Sequence, residues 1–220
     1  MHGSKNPEAA FLALMTASAT HEVRNVLAII KESAGLIQDM VYLFEKKGTL
    51  DREKLHRTAD RIDTQVRRGA DLLTSLNRLS HALDSETTSL DLDEEVRELL
   101  SLSQRSARKR GHQLIGETRE RPIPLDLNQL HLYMALFHAM RVLLDSLSEG
   151  STLTVRVFET TENAVVEFVG TRDGEMPAVA TMPEEELEGV RFWAHALKAE
   201  IQELEEGFGL RILFPQTTGP

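Results

Sequence analysis

The chain has 220 residues, of which 41% are apolar and 27% are charged, the balance of a globular protein. Its formal net charge is −10 without a basic stripe, and no apolar run approaches the roughly 18 to 20 residues of a membrane span, so we expect neither nucleic-acid nor membrane binding. Cysteine is absent, which excludes disulfides, thiolate chemistry and sulfur-based zinc sites and fits a cytoplasmic location.

A long first helix is predicted from Asn6 to Gly48. Asn6 is a typical N-cap, Pro7 suits the first helical position and Glu8 adds an acid to the first turn, while Gly48 is a natural stop. Between them, residues spaced alternately four and three apart form the heptad seam of a coiled coil or four-helix bundle. The seam consists of Leu12, Thr16, Ala19, Val23, Val26, Ile30, Ser33, Ile37, Met40 and Phe44.

A second helix with the same spacing is predicted from about Arg52 to Leu83. Its apolar positions are Leu55, Ala59, Ile62, Val66, Leu73, Leu76 and Leu83. The short link "KGTLD" makes the two helices an all-α antiparallel hairpin. Since one hairpin cannot bury both stripes well, we predict a homodimer with a four-helix bundle; the alternative is that the rest of the chain covers the stripe.

The stretch "THEVRNVLAII" places a histidine, a glutamate and an asparagine on the otherwise ordinary amphipathic first helix. If Thr16 occupies heptad position a, His21 falls at f, on the outward face, and Asn25 follows one turn along on the same face. Glu22 falls at g, at the edge of the seam and next to the imidazole. An exposed histidine is usually a solvated side chain, so spacing alone does not assign it a function.

The stretch "HEVRN" followed by "VLAII" resembles the H-box of bacterial sensor histidine kinases, whose usual form is His-Glu-aliphatic-basic-Asn/Thr-Pro-Leu. Residues 21–25 and Leu27 match, whereas Val26 stands where the family has proline, which removes the usual helix kink. The resemblance implies that His21 is phosphorylated on the first helix of a dimeric hairpin. It also implies that the Asn25 carboxamide positions water for dephosphorylating a partner aspartate.

The residue types suit this chemistry. A neutral imidazole is a good nucleophile near pH 7, and a neighbouring carboxylate can orient it and accept its proton, which makes Glu22 the candidate base. Arg24 is either a phosphate contact or a solvated helix residue. The surface around His21 and the facing part of the second helix are expected to dock a partner. The candidate docking residues are Arg24, Arg67, Arg68 and Asp71.

A boundary near residue 88 divides the chain into a hairpin domain over 1–87 and an α+β domain over 88–220. In the second domain, helices are predicted over 93–110, over 126–147 with Asp126 as cap, and over 183–200. Strands are predicted over 112–117, 152–159 and 163–169, and in a terminal hairpin that turns at Gly207 to Gly209. The expected fold is an α/β sandwich with helices on one face of a mixed sheet. The basic stretch "RSARKRGH" is interpreted as cations at a helix C-terminus.

The order of elements after residue 88 resembles the ATP-binding catalytic domain of histidine kinases. The residues that would hold a nucleotide depart from that family. Val142 stands at its metal-binding asparagine, His138 at the earlier asparagine of the same box, and Gly170 at the aspartate that reads adenine. Between Gly174 and the next helix no glycine-rich phosphate box remains. The resemblance therefore implies a degenerate domain that has lost ATP binding.

An H-box beside a degenerate nucleotide site is similar to the dimeric histidine phosphotransferases of bacterial phosphorelays. The hypothesis is that His21 passes a phosphoryl group between receiver aspartates of response regulators, without ATP-dependent kinase activity. The expected partners are a second copy, receiver domains that bring Mg²⁺, and a separate histidine kinase, while the chain itself needs no cofactor or metal. The alternatives are a response-regulator phosphatase using Asn25, a non-catalytic pseudokinase adaptor, and an active kinase with an unusual nucleotide site.

Overall fold

The computed structural model describes residues 6–82, 87–117, 121–172, 182 and 184–216. Helix α1 spans Pro7–Lys47. The Asn6 side chain caps it by accepting a hydrogen bond from the Glu8 N–H at 3.0 Å. Gly48 ends it in the left-handed conformation, with a φ of 69°. Both predicted ends of the first helix are confirmed.

Helix α2 spans Arg52–His81 and runs back along α1 to complete the predicted hairpin. Its cap is Asp51, whose carboxylate accepts from the Lys54 N–H at 2.9 Å. The predicted end at Leu83 lies outside the described residues. No helix in the described ranges combines the length and the apolar character that a membrane crossing requires.

The hairpin buries only part of its heptad seam. On α1, four seam residues spaced seven apart are buried, namely Ala19, Val26, Ser33 and Met40, whereas Leu12, seven residues before Ala19, is half-buried. On α2, by contrast, Val66 and Leu73 remain 52% and 55% exposed. The dimeric four-helix bundle stays a prediction, since the structure contains one copy of the chain.

The second half of the chain covers one end of the hairpin, as the alternative interpretation of the seam expected. Phe11 and Leu79 belong to the same core as the helices that follow, and the ring of Phe11 meets that of Phe137 edge-on, with 5.5 Å between centroids. Ion pairs add to this contact, with Arg78 Nη1 2.6 Å from Glu94 Oε1. The hairpin and the second half therefore share a continuous core.

The second half contains three helices and seven strands among the described residues. In chain order they are β1 (Thr88–Asp91), α3 (Leu92–Lys109), β2 (Gln113–Glu117), β3 (Pro124–Leu127), α4 (Gln129–Ser146), β4 (Thr152–Glu159), β5 (Asn163–Thr171), α5 (Glu184–Ala196), β6 (Glu200–Glu203) and β7 (Phe208–Pro215). Five strands form a sheet in the order β2-β4-β5-β7-β6, parallel between β2 and β4 and antiparallel elsewhere. This is the predicted mixed sheet with helices packed on it.

Helix α4 is the centre of the second half. It contacts α1, α3 and α5 as well as strands β4 and β5, so it is buried on nearly every side. Its apolar residues meet the inward-facing side chains of the sheet, among them Val155, Phe168 and Ile212. The position of α4 explains why its sequence is apolar all round instead of amphipathic.

Two local predictions in the second half are wrong. Asp126 does not cap α4, because it pairs with Ser89 in a two-stranded ladder of β1 and β3 that the sequence did not indicate. Asn128 is the cap, and its Oδ1 accepts from the His131 N–H at 2.9 Å. Gly209 lies within β7, not in the turn, and a Cβ there would come 2.0 Å from the Phe168 carbonyl oxygen.

Candidate functional site

His21 lies on the exposed side of α1, which runs through this segment as a continuous helix. No hydrogen bond or ion pair within the described ranges engages its ring. Val26, which stands in place of the family's proline, is buried, and its Cγ1 would lie 3.2 Å from a Cβ at Gly69. Glycine at position 69 thus lets α2 approach α1 closely, one turn beyond the histidine.

Glu22 has a different environment from its neighbour. Its side chain is buried, and its Oε2 accepts from Arg68 of α2 at 2.8 Å and from Arg108 of α3 at 2.7 Å. Its Oε1 accepts from the Asn25 Nδ2 at 3.2 Å. The predicted position at the edge of the seam is correct, but the carboxylate is engaged by α2 and α3 and has no bond to the His21 ring among the described contacts. We call Glu22, Asn25, Arg68 and Arg108 the Glu22 cluster.

Arg108 is the residue of this site that sequence reasoning missed. It belongs to "RSARKRGH", which was interpreted as a set of cations at a helix C-terminus, and it does lie in the last turn of α3. Its bond to Glu22 spans 86 positions of sequence. The only available signal was an unusual density of cations in an acidic chain.

The other predicted docking residues are distributed around the site. Arg24 and Asp71 are exposed, and Arg67 is exposed and paired with Asp63 at 2.6 Å. Of the candidates on α2, Arg68 alone joins the Glu22 cluster in the part of the chain that the structure describes. The docking role of all four residues stays a prediction.

A recess of about 540 Å³ opens beside the Glu22 cluster, between α1, α2 and α3. Its lining residues are Glu22, Asn25, Ala28, Ile29, Arg68, Arg105, Arg108 and Lys109. Four of these are cations and one is an anion. The recess begins at Glu22, the residue next to His21, and is a locally positive surface in a chain of net charge −10.

The positions that correspond to nucleotide-binding residues of the resembled family have environments here that do not suit a nucleotide. Val142 is buried and offers no metal ligand. His138 packs against α5, where a Cβ at Gly189 would come 3.3 Å from its Nδ1, and burial together with Arg141 holds its pKa below the ordinary value. Within the described ranges, no group of three or more acidic or histidine side chains is placed to hold a metal.

Gly170 is the third of these positions. A Cβ there would lie 2.7 Å from Leu147 Cδ2 and 2.9 Å from Phe208 Cδ1, so apolar side chains fill the space that an adenine-reading aspartate needs. The residues present do not fit Mg²⁺-ATP, and the loss of ATP binding stays a prediction. The predicted loss of the phosphate box near Gly174 falls on residues outside those described.

Comparison with known proteins gives a structural likeness only. No protein-family model and no curated protein matches the chain in sequence. Among solved structures, the histidine kinase AdeS of Acinetobacter baumannii is 16% identical, with 90% of this chain and 98% of that one covered and a TM-score of 0.49. The catalytic domain of histidine kinase ThkA is 15% identical over 60% of this chain and 97% of that one, with a TM-score of 0.48.

A longer ThkA structure, determined in complex with the response regulator TrrA, is 19% identical over 97% of this chain, with a TM-score of 0.47. This chain spans 64% of the length of that one. These structural neighbours are histidine kinases, the class whose H-box and catalytic domain the sequence resembles.

Proposed function

We propose that the chain is a histidine phosphotransferase of a two-component phosphorelay. His21 takes a phosphoryl group from the receiver aspartate of one response regulator and gives it to another. The observation that carries this proposal is an exposed His21 within "HEVRN", next to a carboxylate that residues of α2 and α3 hold in place and one turn from a carboxamide that this carboxylate orients.

The transfer uses His21 as the nucleophile. Its unprotonated ring nitrogen attacks the phosphorus of the receiver's aspartyl phosphate, the bond from phosphorus to the carboxylate oxygen breaks, and the carboxylate leaves with the electron pair. The N–H of the other ring nitrogen loses its proton to water, to which the ring is exposed once the receiver has left. Transfer to a second receiver reverses these steps, and each receiver brings the Mg²⁺ that neutralises its phosphoryl group.

Glu22 acts as a positioning residue in this proposal and not as the base. Two guanidinium groups and the Asn25 amide already occupy its carboxylate oxygens, so it is poorly placed to take a proton from solvent-exposed His21. It orients Asn25 and keeps this turn of α1 against α2 and α3. The proposed transfer does not require a general base on the chain.

The proposed active form is a homodimer with a four-helix bundle. The half-exposed Val66 and Leu73 continue the heptad seam of α2, and an apolar groove of about 480 Å³ between the helices is lined by Leu12, Leu73 and Leu76 among others. A second hairpin packed on this stripe would cover it and leave His21 on the outside.

A phosphotransfer assay without ATP tests the function. The wild-type chain, incubated with receiver domains phosphorylated by acetyl phosphate and Mg²⁺, is expected to acquire label that it then passes to a second receiver. His21→Ala abolishes the labelling, whereas His56→Ala, which removes another exposed histidine of the hairpin, retains it. Label that survives His21→Ala, or a wild-type chain that no receiver labels, contradicts the proposal.

A response-regulator phosphatase is the second candidate, favoured by the environment of Asn25. Its Nδ2 donates to Glu22, which orients the amide and leaves its oxygen without a partner among the described residues. That oxygen is a possible acceptor for a water that attacks the receiver's aspartyl phosphate. Asn25→Ala then abolishes receiver dephosphorylation without weakening receiver binding, whereas a pure phosphotransferase keeps its transfer rate in the same variant.

A further inference from the structure

The recess beside the Glu22 cluster carries an inference about what reaches His21. Residues 21, 25, 28 and 29 share one face of α1, and Ile29 lies about 12 Å along the helix from His21 at about 1.5 Å per residue. A protein partner that buries the usual amount, about 800 Å² per side, covers a disc of about 16 Å radius. Any such partner centred on His21 therefore reaches along α1 as far as the recess, where Glu22, the neighbour of His21, is bonded to Arg108 of α3.

The rim on α3 is positively charged and unpaired. Arg68 and Arg108 neutralise the buried Glu22, but Arg105 and Lys109 have no carboxylate partner in the part of the chain that the structure describes. Ala28 and Ile29 form an apolar floor next to these cations. Arginine is one of the residue types that are enriched in protein interfaces.

The proposed function supplies the partner's charge. A receiver that carries an aspartyl phosphate also needs carboxylates to hold Mg²⁺, so the face that it presents to His21 is acidic. The chain as a whole has a net charge of −10 and repels such a face, except where the cations of α3 gather.

We propose that α3 of the second half forms part of the docking surface, with Arg105 and Lys109 receiving the acidic face of the receiver next to His21. This inference rests on the proposed function and assigns a new role to the degenerate domain. The first helix of this domain, α3, contributes positive charges to receiver docking, whereas the corresponding domain of the resembled family binds a nucleotide. Electrostatic steering then raises the association rate more than the rate of the chemical step.

Charge reversal tests this docking surface. Arg105→Glu combined with Lys109→Glu is expected to lower kcat/KM for transfer from a phosphorylated receiver at least about tenfold at low salt. The loss becomes smaller at high salt because ions screen the repulsion, and the transfer rate at saturating receiver changes little. Lys46→Glu combined with Lys47→Glu makes the same charge change in the last turn of α1, far from His21, and is expected to leave kcat/KM unchanged.

Arg105→Gln combined with Lys109→Gln gives the same direction of change with a smaller loss, and circular dichroism melting establishes that each variant is folded. If the wild-type chain is labelled and both α3 variants are labelled at the same rate, the docking inference is overturned while the proposed function stands. If no receiver labels the wild-type chain, the proposed function fails, and equilibrium binding of the same receiver domains decides the inference. Binding lost only in the α3 variants supports it, and equal or absent binding overturns it.

Discussion

The carboxylate of Glu22 is shared by two guanidinium groups that come from different helices. Its burial makes the charge dependent on these partners, because a carboxylate that leaves water without them is strongly disfavoured. Both arginines reach solvent, so the pairs do not carry the full desolvation cost of a deeply buried bridge. One residue next to His21 thus joins α1 to α2 and to α3.

Removing the Glu22 carboxylate distinguishes a positioning residue from a general base. Glu22→Ala is expected to lower the free energy of unfolding by about 1.5–3 kcal/mol, since hydrogen bonds to charged groups are lost. The pH profile of phosphotransfer should keep its shape, because water takes the proton from His21. Chemical denaturation and rates measured across pH test both statements.

Glu32→Ala is the matched control for that change. Glu32 also lies on α1 and pairs with Arg61 of α2 at 3.3 Å, but the pair is exposed and worth less than about 1 kcal/mol. If Glu22→Ala is as stable as Glu32→Ala, or if it shifts the pH profile of the rate, the positioning role is contradicted.

At the scale of elements, the apolar seam of α1 and α2 has a covered part and a half-exposed part. Near the start of α1 and the end of α2, the seam packs into the core of the second half, whereas Val66 and Leu73 meet no such cover. The rest of the chain therefore covers one end of the stripe, whereas cover by a second copy stays a prediction. The half-exposed stripe is the part that the second copy is proposed to cover.

The proposed dimer is tested by placing charged residues on the half-exposed apolar stripe of α2. Val66→Asp combined with Leu73→Asp is expected to convert a dimer into a monomer, because two carboxylates cannot be buried between apolar seams without partners. Light scattering coupled to size-exclusion chromatography measures the mass. Phe192→Asp changes another exposed apolar side chain, on α5, and should leave the dimer intact. A wild-type chain that elutes as a monomer contradicts the proposal.

The elements that sequence predicted well are those with local signals. Asn6, Pro7 and Gly48 act within one turn of the helix end that they define, and the alternation of buried and more exposed residues in β4 indicates a strand directly. Asp126 was misjudged because a capping residue and a strand residue look alike until the partner strand is known. The Glu22 cluster was beyond reach for the same reason, since Arg108 arrives only through the packing of α3.

At the scale of the whole molecule, the hairpin and the second half are continuous. The rings of Phe11 of α1 and Phe137 of α4 meet edge to face. His131 of α4 has its Nε2 3.1 Å from Glu8 Oε1 of α1, and its ring also contacts that of Trp193. A core that crosses the boundary near residue 88 favours a single cooperative unfolding unit. The division into 1–87 and 88–220 stays a prediction about folding units.

Cooperativity is tested by a substitution in the hairpin and a probe in the second half. Phe11→Ala is expected to cost about 3–5 kcal/mol and to shift the melting of Trp193 fluorescence as much as that of the helical circular dichroism signal. Leu14→Ala, which truncates a half-exposed side chain on the same helix, should move neither by much. Two separate transitions, with Trp193 unaffected by Phe11→Ala, contradict a shared core.

The central claim concerns one imidazole, and mass spectrometry tests it most directly. The chain is phosphorylated by a phosphorylated receiver without ATP, kept alkaline to preserve phosphohistidine, and digested to locate the phosphate among its eight histidines. The account predicts phosphate on His21 alone, lost again when a second unphosphorylated receiver is added. Phosphate on another residue, or none on the chain under conditions where the receivers bind it, contradicts the account.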